Sequence, residues 1–96
     1  GSLGIITEAV LRTQPEPGGR AVAVLAFARM DAALRAARLA LSTSPTACLL
    51  LDRRILRLAR GDNGHADLVP DGAEAALVAE YEAPSPREAA SLATSL

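Results

Sequence analysis

Cysteine, histidine and aromatic residues are nearly absent from this chain, and lysine and tryptophan are missing altogether. The 96 residues include one cysteine, Cys48, one histidine, His65, one tyrosine and one phenylalanine. A single cysteine excludes a disulfide within the chain. A single histidine without other ligands at metal-binding spacing predicts no metal site. Because no aromatic residues interleave with the arginines, the pattern typical of nucleic-acid binding is absent too.

Long apolar runs and a strong excess of one charge are also lacking. No run approaches the roughly 20 apolar residues of a membrane-spanning helix, so we expect no transmembrane segment. The net charge of −1 gives no electrostatic reason to expect nucleic acid as a partner. Half of the residues are hydrophobic, which is typical of one small globular domain at this length. Since the chain begins with glycine, we expect it to be part of a longer polypeptide.

Hydrophobic periodicity after residue 20 predicts three strands and three helices in alternation. The strands are expected over residues 21–28, 46–51 and 75–82, and the helices over residues 30–41, 53–60 and 86–96. The first strand is almost entirely apolar, so we expect it to be buried on both faces. The first helix is expected to bury one face, formed by Met30, Leu34, Ala37 and Leu41.

Helices that alternate with a small sheet predict an α+β fold of ferredoxin-like type, an antiparallel sheet with helices on one face. A fully parallel α/β sheet is the alternative, which the spacing does not separate from the first. Asp52 is expected to cap the short second helix. Ser85 and Glu88 form a capping box with Pro86 at the first helical position, which predicts where the last helix begins.

The beginning of the chain carries the most informative pattern. Two glycines three residues apart precede the apolar, β-branched run of a strand predicted over residues 5–12. Glycine lets the backbone approach a flat cofactor or a pyrophosphate closely, since no β-carbon intervenes. The predicted cofactor contacts are Gly1, Ser2, Leu3, Gly4, Ile5 and Ile6. The run Gln14-Pro15-Glu16-Pro17-Gly18-Gly19 then predicts a linker in which the glycine pair changes the direction of the chain.

Residues 1–17, GSLGIITEAVLRTQPEP, resemble the last strand of the FAD-binding domain in FAD-linked oxidases of the vanillyl-alcohol-oxidase type. Members such as the D-lactate dehydrogenases, the glycolate oxidase flavin subunit and the D-2-hydroxyglutarate dehydrogenases carry a similar segment, GTLGIITEATLRLxPxP, and then enter a cap domain. The resemblance continues through residues 21–27, 30–41, 50–52 and 76–82. It departs at Leu49, where members often carry glutamate.

This resemblance implies a division of the chain and a chemistry for its parent. Residues 1–14 would be the last strand of the FAD-binding domain, residues 15–19 a linker, and residues 20–96 the N-terminal part of the substrate cap. The six residues at the start would line the FAD. The parent would oxidise a D-2-hydroxy acid such as D-lactate or glycolate by hydride transfer to flavin N5. It would lie in the cytoplasm or at the periphery of the inner membrane.

The chain alone is expected to be inactive. The Gly-rich pyrophosphate loop and the histidine-rich catalytic segment of such enzymes are both absent from these 96 residues. Its partners would be the remainder of the FAD and cap domains and a small 2-hydroxy acid. An exposed first strand also favours edge pairing, so the isolated chain is expected to form a homodimer. The alternative function is that of a self-standing ferredoxin-like module that binds a partner or an effector without catalysis.

The remaining polar residues predict no catalytic group. His65 is expected in a surface turn of a polar loop over residues 62–72. Glu80 and Glu82 project from one face of a strand, where such a pair is expected to be a solvated surface. The arginines of the second helix are expected to be solvated or paired with carboxylates. Cys48 has no neighbouring histidine or lysine that would activate its thiol.

Overall fold

The computed structural model describes residues 2–61 and 68–96, which contain three strands and three helices in alternation. They are β1 (Gly19–Phe27), α1 (Met30–Leu41), β2 (Ala47–Asp52), α2 (Arg53–Gly61), β3 (Ala75–Ala83) and α3 (Pro86–Thr94). The order of these elements is the predicted one, and the bounds of α1 agree with the prediction at both ends. The predicted turn at His65 and much of the loop around it lie outside the described residues.

The three strands form one sheet in the order β1-β3-β2, and both neighbouring pairs are antiparallel. Gly19 lies opposite Ala83 and Phe27 opposite Ala75, so β1 and β3 pair over their full lengths. Since β1 and β2 flank β3, they run parallel to each other, and α1 connects them across the sheet. This split β-α-β arrangement confirms the α+β, ferredoxin-like prediction and excludes the fully parallel sheet.

Helices α1 and α3 pack on one face of the sheet, and the core between them consists mainly of small residues. Leu77 and Tyr81 of β3 are the largest fully buried side chains in the described residues. Apart from these two and Leu56, the buried apolar residues are all alanines, among them Ala33 and Ala40 of α1. Alanine allows the helix axes to approach the sheet closely, because its side chain ends at the β-carbon.

Two sequence expectations about burial are wrong. In α1 the buried face is formed by alanines, whereas Leu34 and Leu41 are 50% and 61% exposed. In β1 only alternate residues face the helices, so Val22 and Val24 are 56% and 39% exposed. The physical reason is the same in both elements. Neighbouring elements cover only one side of each of these two elements. In β1 the resulting two-residue alternation is not visible in the sequence, because both faces are rich in small apolar residues.

Helix α2 lies on the opposite face of the sheet from α1 and α3, so the expectation of helices on one face only is wrong for this helix, although the α+β class and the antiparallel sheet are confirmed. Leu56 of α2 is buried against Ala76 of β3 and Ala73, with Leu51 and Val69 packed beside them. Asp52 accepts a hydrogen bond from the backbone N–H of Ile55 at 3.0 Å, which confirms the predicted cap. Helix α2 contacts mainly β2 and β3, so among the helices of the described residues none packs extensively on the β1 part of this face.

The last helix begins at its predicted position. The Ser85 hydroxyl accepts from the Glu88 backbone N–H at 3.3 Å and donates to the Glu88 carboxylate at 3.0 Å. Pro86 is the first helical residue, where the missing N–H costs nothing. The N-cap bond of the predicted capping box is therefore confirmed, whereas the Glu88 carboxylate accepts from the Ser85 hydroxyl and not from the Ser85 backbone N–H.

The strand predicted over residues 5–12 is not formed in this chain. Residues 4–17 have no regular secondary structure, and their side chains are exposed up to Glu16. A strand requires a hydrogen-bonded neighbour, and the sheet takes up only β1, β2 and β3 among the described residues. The alternating sequence is thus compatible with a strand, but the partner that would form one is not supplied within residues 2–61 and 68–96.

Candidate functional site

The segment predicted to contact a cofactor stands apart from the folded part of the chain. Leu3, Ile5 and Ile6 are each more than 85% exposed, and a β-carbon placed on Gly4 would meet no atom within 4 Å. Gly1 lies outside the described residues, and Ser2 is exposed. Within the described part of the segment, residues 2–6 are thus exposed and not enclosed by this chain, and the cofactor role of residues 1–6 stays a prediction.

A second candidate surface is the sheet face opposite α1 and α3, which we call the open face. Its residues come from alternate positions of all three strands: Arg20, Val22, Val24, Ala26, Ala47, Leu49, Leu51, Ala76, Val78, Glu80 and Glu82. The register arranges them in rows across the sheet. Val24, Val78 and Leu49 form one row, and Val22 lies opposite Glu80 in the next. Leu49 is thus on this face and is 56% exposed. This is the position at which the FAD-linked oxidases that the sequence resembles often carry glutamate.

An apolar groove of about 300 Å³ lies at the open face, bordered by α2 and by Leu68 and Val69. Its lining residues are Val22, Val24, Leu51, Leu56, Ala59, Leu68, Val69, Ala76 and Val78. Since every lining side chain is aliphatic, the groove suits an apolar side chain or ring and provides no group that could pair with an ion. Sequence analysis missed this groove because it expected β1 to be buried on both faces.

The polar end of the open face is formed by an ion pair and one further carboxylate. Arg20 Nε lies 2.9 Å from Glu82 Oε1, and these side chains are 59% and 30% exposed. Glu80 lies two residues from Glu82 on the same face, as predicted, and is half-buried. Because Glu82 is already paired with Arg20, the charge of one of these two surface carboxylates is neutralised. The ion pair could not be found from sequence, since its partners are 62 residues apart.

Arg60 of α2 holds the chain beside the groove. Its guanidinium donates to the carbonyl oxygens of Val69, at 3.2 Å, and Pro70, and lies 3.5 Å from a carboxylate oxygen of Asp71. The segment around Val69, which lines the groove, is therefore tied back to α2. This agrees with the expectation that the arginines of α2 pair with carboxylates, although Arg60 binds carbonyl groups as well.

Among the described residues, one titratable group has a pKa that is clearly shifted by its neighbours, and this group lies away from the open face. Asp31, in the first turn of α1, accepts from Arg29 Nε at 2.8 Å and from Arg35 at 3.0 Å. These two guanidinium groups lower the pKa of the Asp31 carboxyl below its ordinary value, the Arg29 hydrogen bond being the larger cause. Asp31 lies in the first turn of α1, where a negative charge stabilises the N-terminus of a helix.

Within residues 2–61 and 68–96, no cluster of three or more histidine, cysteine, aspartate or glutamate side chains is arranged to hold a metal ion. Cys48 is a half-buried free thiol. The helices of this same part of the chain are all too short or too polar to cross a membrane.

One comparison with known proteins gives a match. The family model described as "FAD linked oxidases, C-terminal domain" matches residues 16–96, which is most of the chain. No curated protein and no solved structure matches. The matched range contains the whole sheet, the open face and all three helices, and it begins within the predicted linker.

Proposed function

This chain belongs to the family of FAD-linked oxidase C-terminal domains, and from this premise we propose that it is part of an enzyme that oxidises a D-2-hydroxy acid such as D-lactate or glycolate. The parent protein is an oxidoreductase whose cofactor is FAD. The single observation that carries the proposal is the family match over residues 16–96. The substrate class rests on the resemblance of residues 1–17 to the segment that leads into the cap of the hydroxy-acid enzymes.

We assign residues 1–14 to the last strand of the FAD-binding domain, residues 15–19 to the linker and residues 20–96 to the N-terminal part of the cap. The exposure of Ile5, Ile6, Val10 and Leu11 supports this division, since each is at least 80% exposed in this chain. They alternate between the two faces of an extended segment, so both faces are apolar. Such a segment is stabilised where a larger sheet pairs with its backbone and further elements cover both faces.

In the parent, residues 1–6 contact FAD by this proposal. Their chemistry suits one wall of a flavin site, because glycine permits close approach and Ile5 and Ile6 offer apolar surface. Among the described residues nothing encloses this segment, so the rest of the pocket has to come from the remainder of the parent. Bound FAD supplies the acceptor for the hydride, while this chain supplies backbone and apolar contacts. The chain by itself is expected to be inactive.

The open face is the surface that we assign to contact with the remainder of the FAD and cap domains. Exposed aliphatic side chains on two strands of a sheet are an unusual feature of a monomer surface, and here they continue into the apolar groove. Burial of this face against the rest of the parent would remove the valines from water. In the isolated chain, the free edge of β1 supports the homodimer expectation, which sedimentation at two concentrations would test.

The experiment that tests the proposal is the visible spectrum of the longest natural polypeptide that contains these residues. It should contain bound flavin, and the flavin absorbance should bleach when D-lactate or glycolate is added without oxygen. The isolated 96-residue chain is the matched control and should be colourless and inactive. A flavin that stays oxidised would refute the substrate class and direct the search to other hydroxy acids. A colourless protein that takes up no added FAD would refute the oxidase proposal and favour the interaction module.

A further inference from the structure

We infer that Gly18 and Gly19 form a rigid joint, which fixes the direction in which residues 1–17 leave the sheet. The sequence alone predicts a linker in which the glycine pair changes the direction of the chain. The structure adds that both glycines pack against the turn between β3 and α3, at Pro84–Pro86. By this inference the two glycines act as positioning residues.

The packing leaves no space for a side chain at either position. A β-carbon on Gly18 would overlap the carbonyl oxygen of Pro84. A β-carbon on Gly19 would overlap the backbone between Ser85 and Pro86. In both cases the obstacle is backbone, which cannot rotate away as the end of a flexible side chain can. A methyl group at residue 18 or 19 would therefore have to push the linker away from the start of α3.

Conformational freedom is not the reason that these residues are glycines. Among the described residues, positive φ values occur only at Ser44 and Gly72, so neither Gly18 nor Gly19 is required by a left-handed backbone conformation. Close approach is the remaining explanation. Gly19 is moreover buried and pairs with Ala83 as the first residue of β1, which fixes it within the sheet.

The residues before the joint are stiff for a separate reason. Pro15 and Pro17 have their φ angles fixed by the ring. Gln14 and Glu16 each precede a proline and are therefore restricted to extended conformations. The residues before the bend at Gly18 thus form a short, stiff segment. The bend itself is held by the packing of Gly18 against Pro84. No residue from 14 to 19 retains the freedom that a hinge requires.

The consequence for function rests on the proposed function above. If residues 1–6 contact the flavin and the open face contacts the remainder of the parent, the joint sets the relation between these two surfaces. The joint itself is inferred from packing alone and does not depend on that assignment.

Spin-label distance measurements on the full 96-residue chain test the joint. Labels are attached to cysteines introduced at Thr13 and Arg54, both exposed, in a Cys48→Ala background. We expect one narrow distance distribution. Gly18→Ala should shift or broaden it, while Gly4→Ala, which adds the same methyl group in open space, should leave it unchanged. Since Gly18 precedes β1, its substitution is expected to leave the sheet folded, which circular dichroism verifies.

A second variant keeps the inference falsifiable if Gly18→Ala fails to fold. Replacing Pro15 and Pro17 with glycine introduces no clash, and we expect it to broaden the distribution without changing the urea midpoint. A broad distribution in the starting chain, or one that responds to neither variant, would overturn the rigid joint. The absence of flavin from the parent protein would refute the proposed function instead, and would leave these distances unaffected.

Discussion

The buried hydrogen bond between Tyr81 and Thr43 offers a quantitative test of how the helices are held on the sheet. Tyr81 is 1% exposed, and its hydroxyl oxygen lies 2.6 Å from Thr43 Oγ1 at the end of α1. Thr43 Oγ1 also lies 2.7 Å from the carbonyl oxygen of Ala40, to which it donates. A threonine hydroxyl has one proton, so the proton between the two hydroxyls belongs to Tyr81.

The two single substitutions should have unequal costs. Tyr81→Phe removes the donor and leaves Thr43 bonded to Ala40, so we expect a loss of about 0.5–1.5 kcal/mol in the free energy of unfolding. Thr43→Val keeps the shape but leaves the Tyr81 hydroxyl buried without an acceptor, while the Ala40 carbonyl loses the hydroxyl and keeps the Thr43 backbone N–H at 3.0 Å. We expect this variant to lose about 1–3 kcal/mol.

Urea unfolding of the isolated chain, followed by circular dichroism, measures these losses. The double variant should cost less than the two single losses added together, because the shared hydrogen bond can be lost only once. Thr13→Val is the matched control, since Thr13 is exposed, and should leave the midpoint unchanged. A Tyr81→Phe variant as stable as the starting chain, with losses that simply add, would show that this bond does not hold α1.

Three further predictions concern a cap, an ion pair and the cofactor segment. Ser85→Ala removes the acceptor for the Glu88 N–H and should lower the unfolding free energy by about 1 kcal/mol, measured in urea; an unchanged midpoint would mean that the cap contributes nothing. Asp31 has a pKa below its ordinary value of 3.8, so its stabilising effect should be present above about pH 4 and lost as pH falls through the lowered pKa. The stability difference between the starting chain and Asp31→Asn should accordingly shrink in acid; a difference independent of pH would contradict the shift. In the parent protein, Gly4→Val should abolish flavin retention, and an unchanged flavin content would remove Gly4 from the proposed site.

The order of the elements could be predicted from sequence because each one is signalled locally. The capping box at Ser85, the cap at Asp52 and the breaker residues between segments all act within a few residues of the boundary they set. The fold class followed from the alternation of elements, but strand order did not. Which strand lies in the middle depends on pairing between residues far apart, and such pairing leaves no short-range pattern.

The predicted burial was wrong where the residue types on the buried and exposed sides of an element are too similar to tell apart. In β1 the inward positions carry mainly alanine, leucine and phenylalanine and the outward ones mainly valine and alanine, so both faces are apolar and look alike in sequence. The role of Gly18 and Gly19 was missed for a related reason. A glycine pair has the same sequence whether it is needed for unusual backbone angles or for close packing. Only the position of Pro84 in the structure shows that close packing is the reason at Gly18.

The burial pattern also explains why this chain is best understood as part of something larger. Its helix-side core is built mainly from alanines, which bury little area each, while Val22, Leu49 and Leu34 remain about half exposed or more. Apolar burial stabilises in proportion to the area removed from water, about 25 cal/mol per Å². The larger aliphatic side chains of this sequence are thus placed where contact with the rest of the parent would use them. Covering Val22, Val24 and Leu49 of the open face in the parent would therefore add apolar burial that this chain does not provide by itself.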